Sequence, residues 1–141
     1  MALSRNQTHL VIMTDIYNEL VDFHYSEDQT FSRDAKELIQ DMVGDTPYEE
    51  IDQYIKDMVF MSLQNYGKIV DAYTPYLRNW KWDRLPVLTQ SILMMSYTHF
   101  YFVEKVDKKV VINVAVELAK KYIDDKQAKF INGILDKVLV K

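Results

Sequence analysis

Few side chains in this sequence are spaced for chemistry. The three histidines, His9, His24 and His99, are scattered, and no two of them stand at a helical metal-binding separation. His24 and His99 fall on apolar stripes, where a hydrogen-bonded imidazole of the core or rim is the commoner outcome. The adjacent carboxylates Asp124 and Asp125 could form an acid–base pair or a cation site, but they precede a helical segment, whose amino end favours acids electrostatically. Asn113 and Glu117 lie four apart on a largely apolar helix, a spacing that lets both turn inward and bond a neighbouring backbone. There is no cysteine, which removes disulfides, thiolate metal sites and a thiol nucleophile. No glycine-rich phosphate loop, zinc motif or nucleophile elbow is present. The expectation is a protein with no catalytic residues, no metal and no cofactor.

What remains is binding chemistry. Trp80-Lys81-Trp82, flanked by Arg78 and Arg84, interleaves aromatic and basic groups as a base-stacking platform does, although large aromatics at a helix junction more often close a core. The other candidate is the C-terminal stretch "KFINGILDKVLVK", from Lys129 to Lys141. Asn132-Gly133 is a strong turn signal, yet it sits inside a segment of helical apolar spacing. On a helical wheel with Phe130 at zero, Ile134, Val138, Ile131 and Leu135 fall at about 40°, 80°, 100° and 140°, one continuous core arc. Lys137, Lys126 and Gly133 fall on the other side of Phe130, at about 340°, 320° and 300°. Phe130 is thus a rim residue beside lysines and a bare patch of backbone. A helix-interior glycine costs roughly 1 kcal/mol relative to alanine, so something should approach the backbone there, either a neighbouring helix or a partner.

Charge points to the same end of the chain. The net charge is −4, which argues against a generic nucleic-acid binder. Residues 1–103 nevertheless carry 8 Lys and Arg against 15 Asp and Glu, whereas residues 104–141 carry 9 against 6. The positive charge is gathered where Phe130 lies.

These residues must be positioned by helices. Three glycines and three prolines leave too few turns for an all-β domain, and 141 residues with 48% hydrophobic content suit a single domain over 1–141 with a real core. Ser4 and Gln7 form a capping box for a first helix carrying Leu10, Met13, Tyr17, Leu20 and His24 on one stripe. A second helix places Phe31, Ala35, Leu38 and Met42 together and ends at Gly44-Asp45. Thr46-Pro47-Tyr48-Glu49 then reads as a capping threonine, a proline at the first helical position and a glutamate reaching back. Ile51, Ile55, Met58 and Val59 follow in that third helix. A short helix after Asn65 stops at Pro75. Pro86 sits in the first turn of a helix with two buried faces, and Asp107 and Asp124 cap the last two. No stretch approaches the roughly 18 apolar residues of a membrane span, and with no leader evident the expected location is cytoplasmic, away from membranes.

Three blocks of this sequence resemble the NusB family of bacterial transcription antitermination factors. In "VVINVAVELAKKYIDDKQAKFINGILDKV", residues Asn113, Glu117, Leu118, Ala119 and Lys120 match the first block, and Lys129, Phe130, Asn132, Gly133, Leu135, Asp136 and Lys137 the second. "PYLRNWKWDRL", Pro75 to Leu85, is similar to a third. The resemblance implies an all-α fold of about seven helices in two packed subdomains, without catalysis. It also implies two partners: the small-subunit ribosomal protein that acts as NusE, and the boxA-type RNA that the heterodimer holds on ribosomal RNA transcripts. RNA polymerase would be engaged indirectly. RNA-binding residues would then be Arg5, Lys126, Lys129, Phe130 and Lys137, and partner-binding residues Phe130, Gly133 and His99. The chain departs from the family in several places, among them Val114, where the family often has a glutamate. Arg5 is the only Lys or Arg among the first 32 residues, Gln90 and Met94 replace arginines, and His99 replaces a glutamate. An alternative is therefore a protein-interaction adaptor of the same fold with weak or no RNA binding of its own.

Overall fold

The computed structural model describes residues 3–25, 40, 46–78 and 80–140, and among them the secondary structure is helical with no strand. Six α-helices are bounded among the described residues: α1 (Arg5–Tyr25), α2 (Gln53–Gln64), α3 (Tyr66–Tyr73), α4 (Val87–Thr98), α5 (Lys108–Tyr122) and α6 (Asp125–Val138). Short 3-10 turns cover Tyr48–Glu50, Thr74–Tyr76 and Trp82–Arg84, and α4 runs on into a π-helical turn, His99–Val103. The fold is all-α. Of the helix expected over Phe31 to Met42 only Gln40, which is helical, is among the described residues; the rest lies outside them.

Local capping chemistry sets most of the starts. Ser4 Oγ accepts from the Gln7 N–H at 3.1 Å while Gln7 Oε1 accepts from the Ser4 N–H at 2.9 Å, so two orphan amides of α1 are satisfied reciprocally. Asp107 accepts from the Lys109 amide at 2.8 Å and Asp124 from the Gln127 amide at 2.7 Å, as expected for α5 and α6.

The third helix starts later than its sequence suggests. Pro47 is extended, no side chain caps the turn that follows, and Ile51 returns to the extended region. Asp52 is the cap, accepting from the Tyr54 amide at 2.9 Å, and α2 begins at Gln53. The break is what lets Ile51 turn into the core, where it is buried. Pro86 likewise stands just before α4 rather than in its first turn.

Helix α1 is also rotated relative to the expected stripe. Its buried positions are Thr8, His9, Ile12, Met13, Asp15, Ile16, Glu19 and Leu20, whereas Leu10 and Tyr17 are half-buried. Two carboxylates on the inner face broke the apolar pattern that a wheel detects.

Helix α4 is the hub. Every residue from Thr89 to Thr98 is buried, because α1, α2, α3, α5 and α6 all pack against it. Its hydroxyls are satisfied as burial requires: Ser91 donates to the Met13 carbonyl at 2.6 Å, Ser96 to that of Ile92 at 2.8 Å, and Thr98 accepts from Ser62 at 2.8 Å. Helices α5 and α6 pack along each other, joined by a two-residue turn, and the Tyr101 hydroxyl pins the end of α6 by donating to the Val138 carbonyl at 2.8 Å.

Candidate nucleic-acid interface

Helix α6 buries one face completely. Ala128, Ile131, Ile134, Leu135 and Val138 are its buried residues, which is the arc drawn from the sequence plus Ala128. Phe130 is half-buried and packs against the core, while Lys126, Lys129, Asn132, Gly133 and Lys137 are exposed. None of the three lysines has a carboxylate partner among the described residues; the cation bound to this helix is Lys108, whose Nζ lies 3.0 Å from Asp136. A Cβ built on Gly133 would meet nothing within 4 Å. Among the described residues no neighbouring helix approaches that glycine, so they give it no packing explanation. The helix thus presents an aromatic edge, three unneutralised ammonium groups and bare backbone, a set that can stack a base and contact phosphates.

Arg5 and His99 belong to a second cluster, built from α1, α2 and the π-helical turn. The Arg5 guanidinium binds the Glu104 carboxylate at 3.1 and 3.2 Å and lies 4.2 Å above the Tyr54 ring. His99 Nε2 is 2.9 Å from Glu104 Oε2, and His9 Nε2 is 2.8 Å from the Tyr54 hydroxyl. The two imidazoles, 90 residues apart in sequence, have ring centroids 5.7 Å apart. His99 is 2% exposed, so its ring holds Glu104 and offers no surface to a partner.

Burial sets the protonation of this cluster. It lowers His9 to about 4, helped by the nearby His99 and Arg5 charges. His99 is lowered for the same reason, burial outweighing the hydrogen bond it gives to Glu104. For Glu104, burial acts upward but is overcome by the bonds from His99 and Arg5, which leave the carboxyl below its ordinary range. Both imidazoles are therefore neutral near pH 7, and the Arg5–Glu104 pair is ionised.

Two expectations from the sequence are corrected here. Gln90 and Met94 replace arginines that would have met phosphates at the surface, yet both positions are wholly buried and face no ligand. Gln90 donates to the Trp82 and Leu85 carbonyls at 3.0 and 3.1 Å, tying the 3-10 turn to α4. Asn113 and Glu117, expected to turn inward, are exposed, because Val111, Ala115, Leu118 and Ala119 make the buried face of α5. Glu117 instead lines, with Asn6, His9 and Lys121, a cleft of about 170 Å³ between α1 and α5. The meeting of His9, Tyr54, His99 and Glu104 was missed, since nothing local links residues so distant in sequence. Among the described residues no group of three or more His, Cys, Asp or Glu is placed to hold a metal ion, and no helix is long and apolar enough to cross a membrane.

Comparison with known proteins gives a consistent answer. The NusB family model matches residues 14–140. The chain is 34% identical over 114 residues to the transcription antitermination protein NusB of Natranaerobius thermophilus, covering 81% of each chain. It is 38% identical over 90 residues to that of Bacillus licheniformis, covering 64% of this chain and 70% of the relative. In structure it is similar to T. maritima NusB, with a TM-score of 0.76 at 24% identity over 99% of this chain and 92% of the other. It is also similar to a protein chain in the crystal structure of a plectonemic RNA supercoil, with a TM-score of 0.72 at 22% identity over 96% and 94%.

Proposed function

The chain belongs to the NusB family of transcription antitermination proteins, and on that premise we propose that it holds boxA-type RNA as a heterodimer with the ribosomal protein that acts as NusE, promoting ribosomal RNA transcription. The observation that carries this reading is the α6 face: Phe130 at the rim of the core, flanked by the exposed Lys126, Lys129 and Lys137 and by Gly133 standing in open space. A base stacks on the ring, and the ammonium groups neutralise phosphates. Gly133 leaves room for the partner protein to reach the backbone. RNA polymerase is engaged through the assembly rather than by this chain directly.

A second reading, a protein-interaction adaptor with little RNA affinity of its own, is favoured by the state of Arg5. The one Lys or Arg in the first 32 residues is already engaged by Glu104, so α1 offers phosphates little free charge. Titration of a labelled boxA RNA against salt, with the protein alone and mixed with the ribosomal protein, separates the two. Tight, salt-sensitive binding in the mixture supports the antitermination heterodimer, with the partner supplying the missing charge. A mixture that forms the protein complex but binds no RNA leaves the adaptor.

A further inference from the structure

The aromatic–basic segment at residues 76–84 divides in two. Trp82 is 5% exposed and stacks on Tyr73, with ring centroids 5.9 Å apart and planes 20° from parallel. Trp80 is 62% exposed and Tyr76 44%. Burial of Leu77, Trp82 and Leu85 anchors the segment at both ends, and the Gln90 side chain holds its carbonyls. Between the anchors, the Trp80 amide bonds the Leu77 carbonyl at 3.0 Å, and Arg78 takes a φ of 54°. That left-handed conformation costs a residue with a Cβ on the order of 1–2 kcal/mol. The Trp80 indole stands outside while Leu77 and Trp82 go in.

Charge identifies what the indole meets. Arg78, Lys81 and Arg84 are exposed, and none has a carboxylate partner among the described residues. Asp83 is the single acid between residues 76 and 84, in a region of the chain where acids outnumber bases 15 to 8. Three free cations around an exposed ring are poorly suited to an apolar protein surface and well suited to a polyanion with stackable faces. The turn that leads into the platform, Thr74–Tyr76, packs against α6.

We propose that Trp80, with Arg78, Lys81 and Arg84, is a second single-stranded RNA site, which stacks one unpaired base and contacts its flanking phosphates, in addition to the Phe130 face. This deepens the RNA-binding function proposed above and rests on it. Because the segment is anchored on both sides, little backbone freedom is lost when a base stacks on the ring.

The test uses the full chain with its ribosomal-protein partner and a labelled single-stranded boxA-type RNA. Trp82→Phe leaves Trp80 as the chain's single indole, and the Trp80→Phe, Trp82→Phe double variant is the blank. RNA should quench Trp80 emission in step with the rise in RNA anisotropy. Trp80→Ala should lower affinity about 5- to 100-fold, with Trp80→Phe restoring most of it. Arg78→Gln combined with Lys81→Gln should lower the log–log salt slope by about 1.4 while the melting temperature stays within a few degrees. If RNA binds with Trp80 emission unmoved and Trp80→Ala binds as well as the parent, this site is overturned and the α6 reading stands. If emission responds to the ribosomal protein and not to RNA, the platform is a protein contact and the proposal fails. If the folded mixture binds no RNA, both readings fall together.

Discussion

The two ends of the described chain hold their charge in opposite ways. On α6, Lys126, Lys129 and Lys137 stand free beside a half-buried Phe130. At the start of α1, Arg5 is held by Glu104 and covers the Tyr54 ring, and two imidazoles are kept neutral by burial. Counting basic residues would rank the ends by number alone. What the difference teaches is that availability decides: a guanidinium with a carboxylate of its own must be released before a phosphate can use it.

The largest test of this contrast is on the buried side of α6. Ile131→Ala should cost about 2–5 kcal/mol in denaturant unfolding, since the side chain is fully buried. A loss below 1 kcal/mol would mean that the arc under Phe130 is not core. Next comes pH. The His9 value is lowered in the fold to about 4, so between its ordinary value and that one the unfolded chain binds the extra proton. Stability should therefore be full above pH 6.5 and fall as pH drops toward 4, by about 3 kcal/mol for His9 alone. His99 and Glu104 are also lowered and act in the same direction. His9→Gln should flatten the pH profile, and an unchanged profile would separate the cluster from the stability of α1.

Phe130→Ala sharpens the comparison from the open side. Unfolding should remain cooperative, while RNA affinity of the heterodimer falls by about 1–3 kcal/mol; loss of cooperative melting would make the ring core rather than rim. Gly133→Ala should raise stability by about 1 kcal/mol, because the added methyl meets nothing. Its cost should appear only in partner binding, read by titration calorimetry. The smallest effect is expected at the other end: Glu104→Gln frees Arg5 at a stability cost of up to about 1 kcal/mol. It should steepen the salt dependence of RNA binding by about 0.7, and no change there would mean that Arg5 has no phosphate to meet.

Much of α6 was legible because its pattern is local. Five apolar residues at helical spacing, a capping Asp124 and a glycine off the arc are all read within one wheel. The same method misplaced the stripe of α1, since Asp15 and Glu19 are buried and count as polar. It read Thr46-Pro47 as a helix start, although a tertiary demand, burial of Ile51, delayed the helix to Asp52. The candidate site was half legible for the same reason. Phe130 and its lysines are neighbours on one helix, whereas the partners of Arg5 come from positions 54 and 104. That Trp82 is core and Trp80 is not could not be read from two tryptophans a single residue apart.

The π-helical turn at His99–Val103 has a consequence for the length of the chain. On an α-helix, positions five apart are turned about 140° from one another, and His99 could not face Glu104. The wider turn closes with the Glu104 amide on the His99 carbonyl at 3.3 Å, which brings carboxylate and imidazole to the same side and within reach of Arg5. The link between the hub helix and the amino end of the protein thus depends on how many residues lie in that turn as much as on which they are. Removing one while restoring the ordinary pitch would leave the two groups four apart, about 40° from one another on one face, so the contact tolerates a change of pitch and residue count together but not of either alone.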